Sequence, residues 1–207
     1  VSSIKYLGII IDQNLRWTDH IIHVAKRLRC LIHRFYILRE VLSRKNLVLL
    51  YNSLAESILR YSIIIWGGAF STSIKLLQIS QNTLLKIVFR KKRLYSSEAL
   101  YKECSIFNID RLYIFNCITK MYVKQKEFSR CSSRFTRAHV NNCIEIPNFK
   151  KTVTQRSFIF FDPKLFNSVP VHIRQIRDLR KFKAKVKVYI ANTNTVFSNI
   201  LKPSESY

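Results

Sequence analysis

Residues 18–36 read TDHIIHVAKRLRCLIHRFY, and their spacing decides the fold class. Ile21, Val24, Ala25, Leu28, Ile32 and Phe35 recur every three or four positions, which places them on one side of an α-helix. Thr18 is the expected N-cap, with Asp19 in the first turn, where a carboxylate suits the helix dipole. Lys26, Arg27, Arg29 and Arg34 take the other faces. The stretch is an amphipathic helix with a basic outside.

Working outward, the preceding run IKYLGIII (Ile4–Ile11) is rich in β-branched residues and ends at Asp12-Gln13-Asn14, which predicts a short strand or hairpin and then a turn. Downstream, Ser43 predicts the cap of a second helix with a stripe of Leu47, Leu50, Tyr51, Leu54 and Ile58. Gly67-Gly68 closes the apolar segment that follows. A third helix is expected from Thr72 or Ser73, with Ile74, Leu77, Gln81, Leu84, Leu85 and Val88 on one side, running into Arg90-Lys91-Lys92-Arg93. A fourth starts near Ser97. A fifth starts at Asp110, its stripe being Tyr113, Cys117, Ile118, Met121 and Tyr122.

After residue 126 the composition changes. Residues 127–157 collect Ser, Thr, Asn and Arg and read as a loop-rich connector. Phe158–Phe161 is an apolar run that Asp162-Pro163 should stop, and Pro170 marks a further turn. From Asp178 to Ile190 the Lys residues alternate with apolar ones, as in a strand. Leu179, Phe182, Val186, Tyr189 and Ile190 also fit a helical stripe, Asp178 is a good cap, and Ala and Lys favour helix. Helix is the reading adopted, with a frayed tail from Asn192. The expected architecture is mainly α: a strand and turn over 1–17, a helical body over 18–126, and a basic, partly helical extension over 127–207.

Thirty-six Lys and Arg against twelve Asp and Glu give the 207-residue chain a formal charge of +24. The excess divides evenly, +11 over 1–103 and +13 over 104–207, so it runs through the folded part and is not confined to an arm. An apolar share of 48% is too high for a disordered basic tail. A polyanion followed along its length is the partner such a charge suits. The most apolar stretch, Ile58–Phe70, contains Arg60 and falls well short of the roughly 20 residues a membrane span needs. Behind Val1 no charged n-region or apolar h-region appears, and five cysteines are odd in number and scattered. Both point to a reducing, intracellular setting.

Catalytic chemistry finds little footing. No two acids adjoin, and none pair at a metal-ligand spacing, whereas two-metal nucleotidyl transfer needs clustered carboxylates. Asp12 and Asp19 read better as turn and cap. Cys131, His139 and Cys143 lack the close pairing that zinc knuckles use, so no metal is expected. With three Gly there is no phosphate-cradling loop. What remains is binding: the clusters Lys26–Arg34, Arg90–Arg93, Lys150–Arg156 and Arg174–Lys187 interleave cations with Phe35, Tyr36, Phe89, Tyr95, Phe149, Phe182 and Tyr189. Arg and Lys neutralise phosphates and aromatic faces stack on bases or sugars. Candidate contacts are Lys26, Arg27, Arg29, Arg34, Lys86, Arg90, Lys91, Lys92, Arg93, Arg156, Arg180, Lys181, Lys183 and Lys187. The rival reading is a non-enzymatic basic scaffold or ribonucleoprotein subunit held by protein contacts.

The order of motifs resembles one family. Tyr6-Leu7-Gly8-Ile9-Ile10-Ile11-Asp12, then Leu15-x-Trp17-x-x-His20-Ile21, is similar to the stretch just past the palm in reverse transcriptases of non-LTR retrotransposons, jockey- and CR1-like elements in particular. Leu50–Leu54, Leu59-x-Tyr61 and Ile65-Trp66-Gly67 resemble that family's thumb helices, and Leu77-Gln78-x-x-Gln81-x-x-Leu84-Leu85-x-Ile87 the helix after them. Thr136-Arg137, Gln155–Phe158, Pro163–Pro170 and Phe182-Lys183 are similar to its C-terminal extension. Ser62 stands where the family often has Gly and Phe166 where it usually has Trp. The resemblance implies the thumb and downstream part of an RNA-directed DNA polymerase. Its paired catalytic aspartates, with their Mg²⁺, would lie upstream, and this stretch would be no enzyme by itself. Helices at 18–36 and 73–93 would grip a template–primer duplex of RNA and DNA in a nuclear and cytoplasmic ribonucleoprotein, with the upstream palm and fingers as protein partners and no membrane.

Overall fold

In the computed structural model, residues 2–128, 143–148 and 158–193 are described. The chain forms two compact units, Val1–Asp110 and Arg111–Tyr207. The architecture is mainly α, opened by a two-stranded hairpin.

The Ile4–Ile11 run is folded in two. β1 (Ser3–Tyr6) pairs antiparallel with β2 (Ile9–Asp12), joined by Leu7-Gly8. Both turn residues have positive φ, 45° and 79°, as the tight hairpin turn whose twist matches its strands requires. Only Gly8 announces that turn in the sequence. Its hydrogen faces the Tyr61 ring, where a Cβ would stand 3.6 Å away, and the Tyr61 hydroxyl donates to the Leu7 carbonyl. Asp12 is a turn residue in full: its carboxylate accepts from the amides of Asn14, Arg16 and Trp17 at 3.1, 2.9 and 2.6 Å.

That carboxylate delivers the chain into α1 (Thr18–Val41), the helix read from the opening stretch. Its N-cap is Trp17, in a left-handed conformation, so Thr18 is the first helical residue and not the cap. Ile21, Val24, Ala25, Leu28, Leu31 and Phe35 are buried as a stripe, and Ile32 stands at its margin. Ser43 caps α2 (Arg44–Leu50) by accepting from the Asn46 amide. A π-helical turn, Tyr51–Ala55, then inserts one residue before α3 (Glu56–Arg60). The buried positions become Leu47, Tyr51, Ala55 and Leu59, four apart, and the expected Leu54 turns outward. Ser62 has φ 52°, the left-handed region that Gly adopts without strain, ahead of the short α4 (Ile63–Trp66).

α5 (Ser71–Val88) buries all six of its expected stripe residues. It starts one or two residues earlier than expected, and it ends before the basic cluster: Phe89 caps it and Arg90 turns left-handed at φ 53°. α1 and α5 pack side by side in parallel. Arg29 reaches Ser80 and Arg90 reaches Arg39, the same offset of 51 positions at both places. α6 (Ser97–Cys104) is capped by Ser96, and α7 (Ile109–Phe128) follows.

In the second unit, α7 buries Leu112, Tyr113, Ile114, Cys117, Ile118 and Met121. α8 (Phe158–Asn167) runs straight through Asp162-Pro163, which corrects the expected stop. A proline there forfeits one hydrogen bond, to the carbonyl of Ile159, and Ile159 lies on the exposed side. Pro170 caps α9 (Val171–Arg174). The segment 178–190 is helical: α10 (Leu179–Asn192), with Asp178 accepting from the Lys181 amide at 2.7 Å. Phe182, Val186 and Ile190 are its buried stripe, and Phe182 stacks on Tyr122 at 3.9 Å. Asn167 clamps Ile144 through both backbone groups, at 2.9 and 2.7 Å. Most of the connector expected at 127–157, including Thr136-Arg137, Phe149 and the Lys150–Arg156 cluster, lies outside the described residues, as does the tail past Thr193.

Candidate nucleic-acid interface

On α1, successive side chains turn by about 100°. Arg29 therefore stands toward α5, Lys26 points away from the buried stripe, and Arg27 and Arg34, seven apart, form a line on the far flank. All four are exposed. Arg29 leans on the Ser80 hydroxyl at 3.4 Å. Lys26, Arg27 and Arg34 take part in no ion pair among the described residues. The acids of the helix, Asp19 and Glu40, sit at its two ends, and Glu40 is held by Arg39 at 2.8 Å. Between those ends every charged side chain of the helix is cationic, beside exposed Ile22, Tyr36 and Ile37.

The cluster after α5 is a different object. Arg90 donates to the carbonyls of Arg39 and Leu42 at 2.7 and 3.1 Å, satisfying the open end of α1. Lys91 pairs with Glu103 at 2.7 Å, and Glu103 also receives Arg44 at 3.1 Å. That carboxylate holds the Lys91 ammonium above its ordinary pKa, while Lys91 and Arg44 hold Glu103 below its own. Lys86 donates to the Arg93 carbonyl at 2.7 Å. Lys86, Arg90 and Lys91 thus build the loop, and Lys92 and Arg93 are the heads it leaves exposed. These are non-local partnerships that a run of like charges does not announce.

The aromatics divide in the same way. Phe35, Phe89 and Phe182 are buried and cannot stack on a base, which corrects that part of the sequence reading. Tyr36 is exposed, with the Arg39 guanidinium 4.1 Å above its ring, and Lys91 lies 4.7 Å from Tyr95. Tyr189 donates to the Ser168 carbonyl at 3.2 Å. In the second unit, Arg180, Lys181, Lys183 and Lys187 are all exposed on α10. Arg156 lies outside the described residues.

Two buried polar groupings escaped the sequence reading. Gln81 donates to the Tyr51 hydroxyl at 3.0 Å and to the Phe107 carbonyl at 2.9 Å, and accepts from Tyr101 at 3.0 Å. Gln78 joins it, donating to Tyr101 at 2.6 Å and accepting the Ile109 amide at 3.2 Å. Burial raises the pKa of both tyrosines, so both hydroxyls stay protonated. The Gln78-x-x-Gln81 spacing is therefore a latch between α5 and the segment entering α7. In the second unit Asp162 is buried against Lys120 at 2.8 Å, beside Cys117. Burial pushes the Cys117 thiol well up, which leaves it inert as a nucleophile. Cys143 accepts from Arg174 at 3.0 Å. Among the described residues no three His, Cys, Asp or Glu gather as metal ligands, and no helix is long and apolar enough to cross a membrane. Cys131 and His139 lie outside those residues.

Over 87 residues, 41% of its length, the chain is 31% identical to the probable RNA-directed DNA polymerase from transposon X-element of Drosophila melanogaster. The likeness relates the chain to an RNA-directed DNA polymerase of a transposon. The matched stretch spans about a tenth of that relative's length. No family model and no solved structure matches the chain.

Proposed function

We propose that the chain is the thumb and downstream part of a non-LTR retrotransposon reverse transcriptase of the jockey or CR1 type, and that it holds the template–primer backbone beside a catalytic palm supplied by the upstream part of the same protein. The observation that carries this is the outer face of α1. Lys26, Arg27 and Arg34 are exposed, stand outside every ion pair among the described residues, and lie between acids confined to the helix ends. A helix face built that way suits a phosphate chain and gives no base-edge readout, so contacts fall on phosphate and sugar. The likeness to a transposon's RNA-directed DNA polymerase supports the reading, as does left-handed Ser62 at a position where the resembled family often has Gly. The chain contributes charge and shape, and Mg²⁺ chemistry belongs to the palm.

Nuclease footprinting on a recessed RNA–DNA primer–template tests it. Protection that begins at the primer terminus and extends into the duplex is expected. Uniform protection without regard to the terminus would assign the chain to scaffolding and end the proposal. Incubation with nucleotides and Mg²⁺ or Mn²⁺ should extend no primer.

A further inference from the structure

The second unit carries a cationic surface of its own, and its pattern is more specific than charge alone. In α10, Phe182, Val186 and Ile190 face inward. The five cations of the helix fall in two rows on either flank, Arg180, Lys183 and Lys187 on one and Lys181 and Lys185 on the other, and all five are exposed. Between the rows, opposite the buried stripe, runs a ridge of Ala184, Val188 and Ala191, also exposed. The helix contains no Asp or Glu. A solvated surface helix ordinarily mixes its signs and puts its most polar residues farthest from the core. Here the outermost line is small and apolar, and the charges stand beside it.

We infer that α10 docks along the groove of an A-form-like duplex, an RNA–DNA hybrid or double-stranded RNA. The Ala184–Val188–Ala191 ridge lies against the groove floor, and each cationic row meets one of the two phosphate strands. A helix with side chains is about 10–12 Å across, so its flanks can address two backbones at once. The ridge offers no hydrogen-bond donor or acceptor and so reads no sequence. Its small side chains let the helix approach the wide, shallow minor groove in which A-form duplexes are recognised by shape. A single strand, with one backbone, would leave one row idle. The inference rests on the nucleic-acid reading above and gives it a second, separate contact.

The test uses the whole chain and a fluorescent hybrid of about 16 base pairs, the reach of a shape-reading domain. Val188→Glu places a carboxylate on the ridge. Ile159→Glu makes the same charge change at another exposed position of the same unit, near the start of α8 and nine residues before Ser168, whose carbonyl accepts from Tyr189 of α10. Groove docking predicts about tenfold weaker binding for Val188→Glu than for Ile159→Glu, with unchanged far-UV circular dichroism. It also predicts that glutamine replacement of either row alone lowers the salt dependence, and that wild type prefers the hybrid to single-stranded RNA. Equal affinities for the two glutamate variants, or an effect from one row only, would overturn it. So would binding to phosphatidylserine vesicles that Val188→Glu abolishes while hybrid binding is unchanged. If the α10 variants change nothing while Gln at Lys26, Arg27 and Arg34 weakens binding, this inference falls and the proposed function stands. If neither set matters, both fall.

Discussion

Replacing Gln81 by Leu removes the centre of the latch that ties α5 to the chain entering α7. Gln81 is 1% exposed and uses both ends of its amide: Nε2 donates to the Tyr51 hydroxyl and the Phe107 carbonyl, and Oε1 accepts from Tyr101. Leucine keeps most of the volume and satisfies none of these groups. Tyr101 retains Asn82 at 2.7 Å and Gln78 at 2.6 Å, so its loss is small. The fully buried Tyr51 hydroxyl loses the Gln81 amide, and the Phe107 carbonyl loses a donor. At about 1–3 kcal/mol for the buried Tyr51 hydroxyl, and about 1 kcal/mol for the hydrogen bond lost at Phe107, the variant should lose about 2–4 kcal/mol. For a unit of this size that lowers the melting temperature by about 10–20 °C. Thermal melts followed by circular dichroism measure it, with Thr83→Ala on the exposed side of the same helix as the reference, expected to change stability by less than about 0.5 kcal/mol. A Gln81→Leu protein melting within about 2 °C of wild type would refute the latch.

Four further outcomes follow from the same structure. His20 is buried, accepts the Ile10 amide at 3.3 Å through Nδ1, and has its pKa pushed down to about 4 by that burial and by His23. Folded protein thus needs the neutral ring. Its stabilising share is complete above about pH 6.5, fades as pH falls toward 4, and amounts to about 3 kcal/mol; urea midpoints should show this slope in wild type and lose it in His20→Asn. Lys120→Met strands the Asp162 carboxylate, whose pKa burial already raises, so urea denaturation should show a loss approaching about 3–5 kcal/mol at pH 8 that shrinks as the pH falls and the group takes up a proton. Ser62→Gly relieves a left-handed Ser and should raise the melting point through about 1 kcal/mol. Arg90→Gln removes the donor to the Arg39 and Leu42 carbonyls and should act on stability more than on nucleic-acid affinity, with thermal melts and fluorescence anisotropy separating the two.

Helices with an uninterrupted stripe were legible. All six inward residues of α5 and five of the six named on α1 are buried, since local periodicity and core burial demand the same spacing. The second helix was legible only to Tyr51, because a π turn adds a residue that no propensity signals and moves burial from Leu54 and Ile58 to Ala55 and Leu59. Asp162-Pro163 misled for a related reason. The cost of a helical proline depends on whether the freed carbonyl meets water, which sequence does not tell. The candidate interface was half legible. Exposure of Lys26, Arg27, Arg34 and the α10 cations follows from periodicity, whereas the conversion of Lys86, Arg90 and Lys91 into loop architecture depends on partners at Arg39, Leu42 and Glu103, all fixed by tertiary packing. Much of the family resemblance falls on residues that fill or brace the core, such as Tyr51, Trp66, Gln81 and Leu84, so likeness in sequence here marks a scaffold more than a contact surface.

The central claim is that exposed cations on packed helices grip a phosphate backbone. Affinity for an RNA–DNA primer–template, followed by anisotropy across a salt series, tests it most directly. Each neutralised phosphate contributes roughly 0.7–0.9 to the slope of log K against log salt. Glutamine at Lys26, Arg27 and Arg34 together should therefore flatten that slope by about 2–3 while the melting curve holds. An unaltered slope in the folded triple variant would contradict the account.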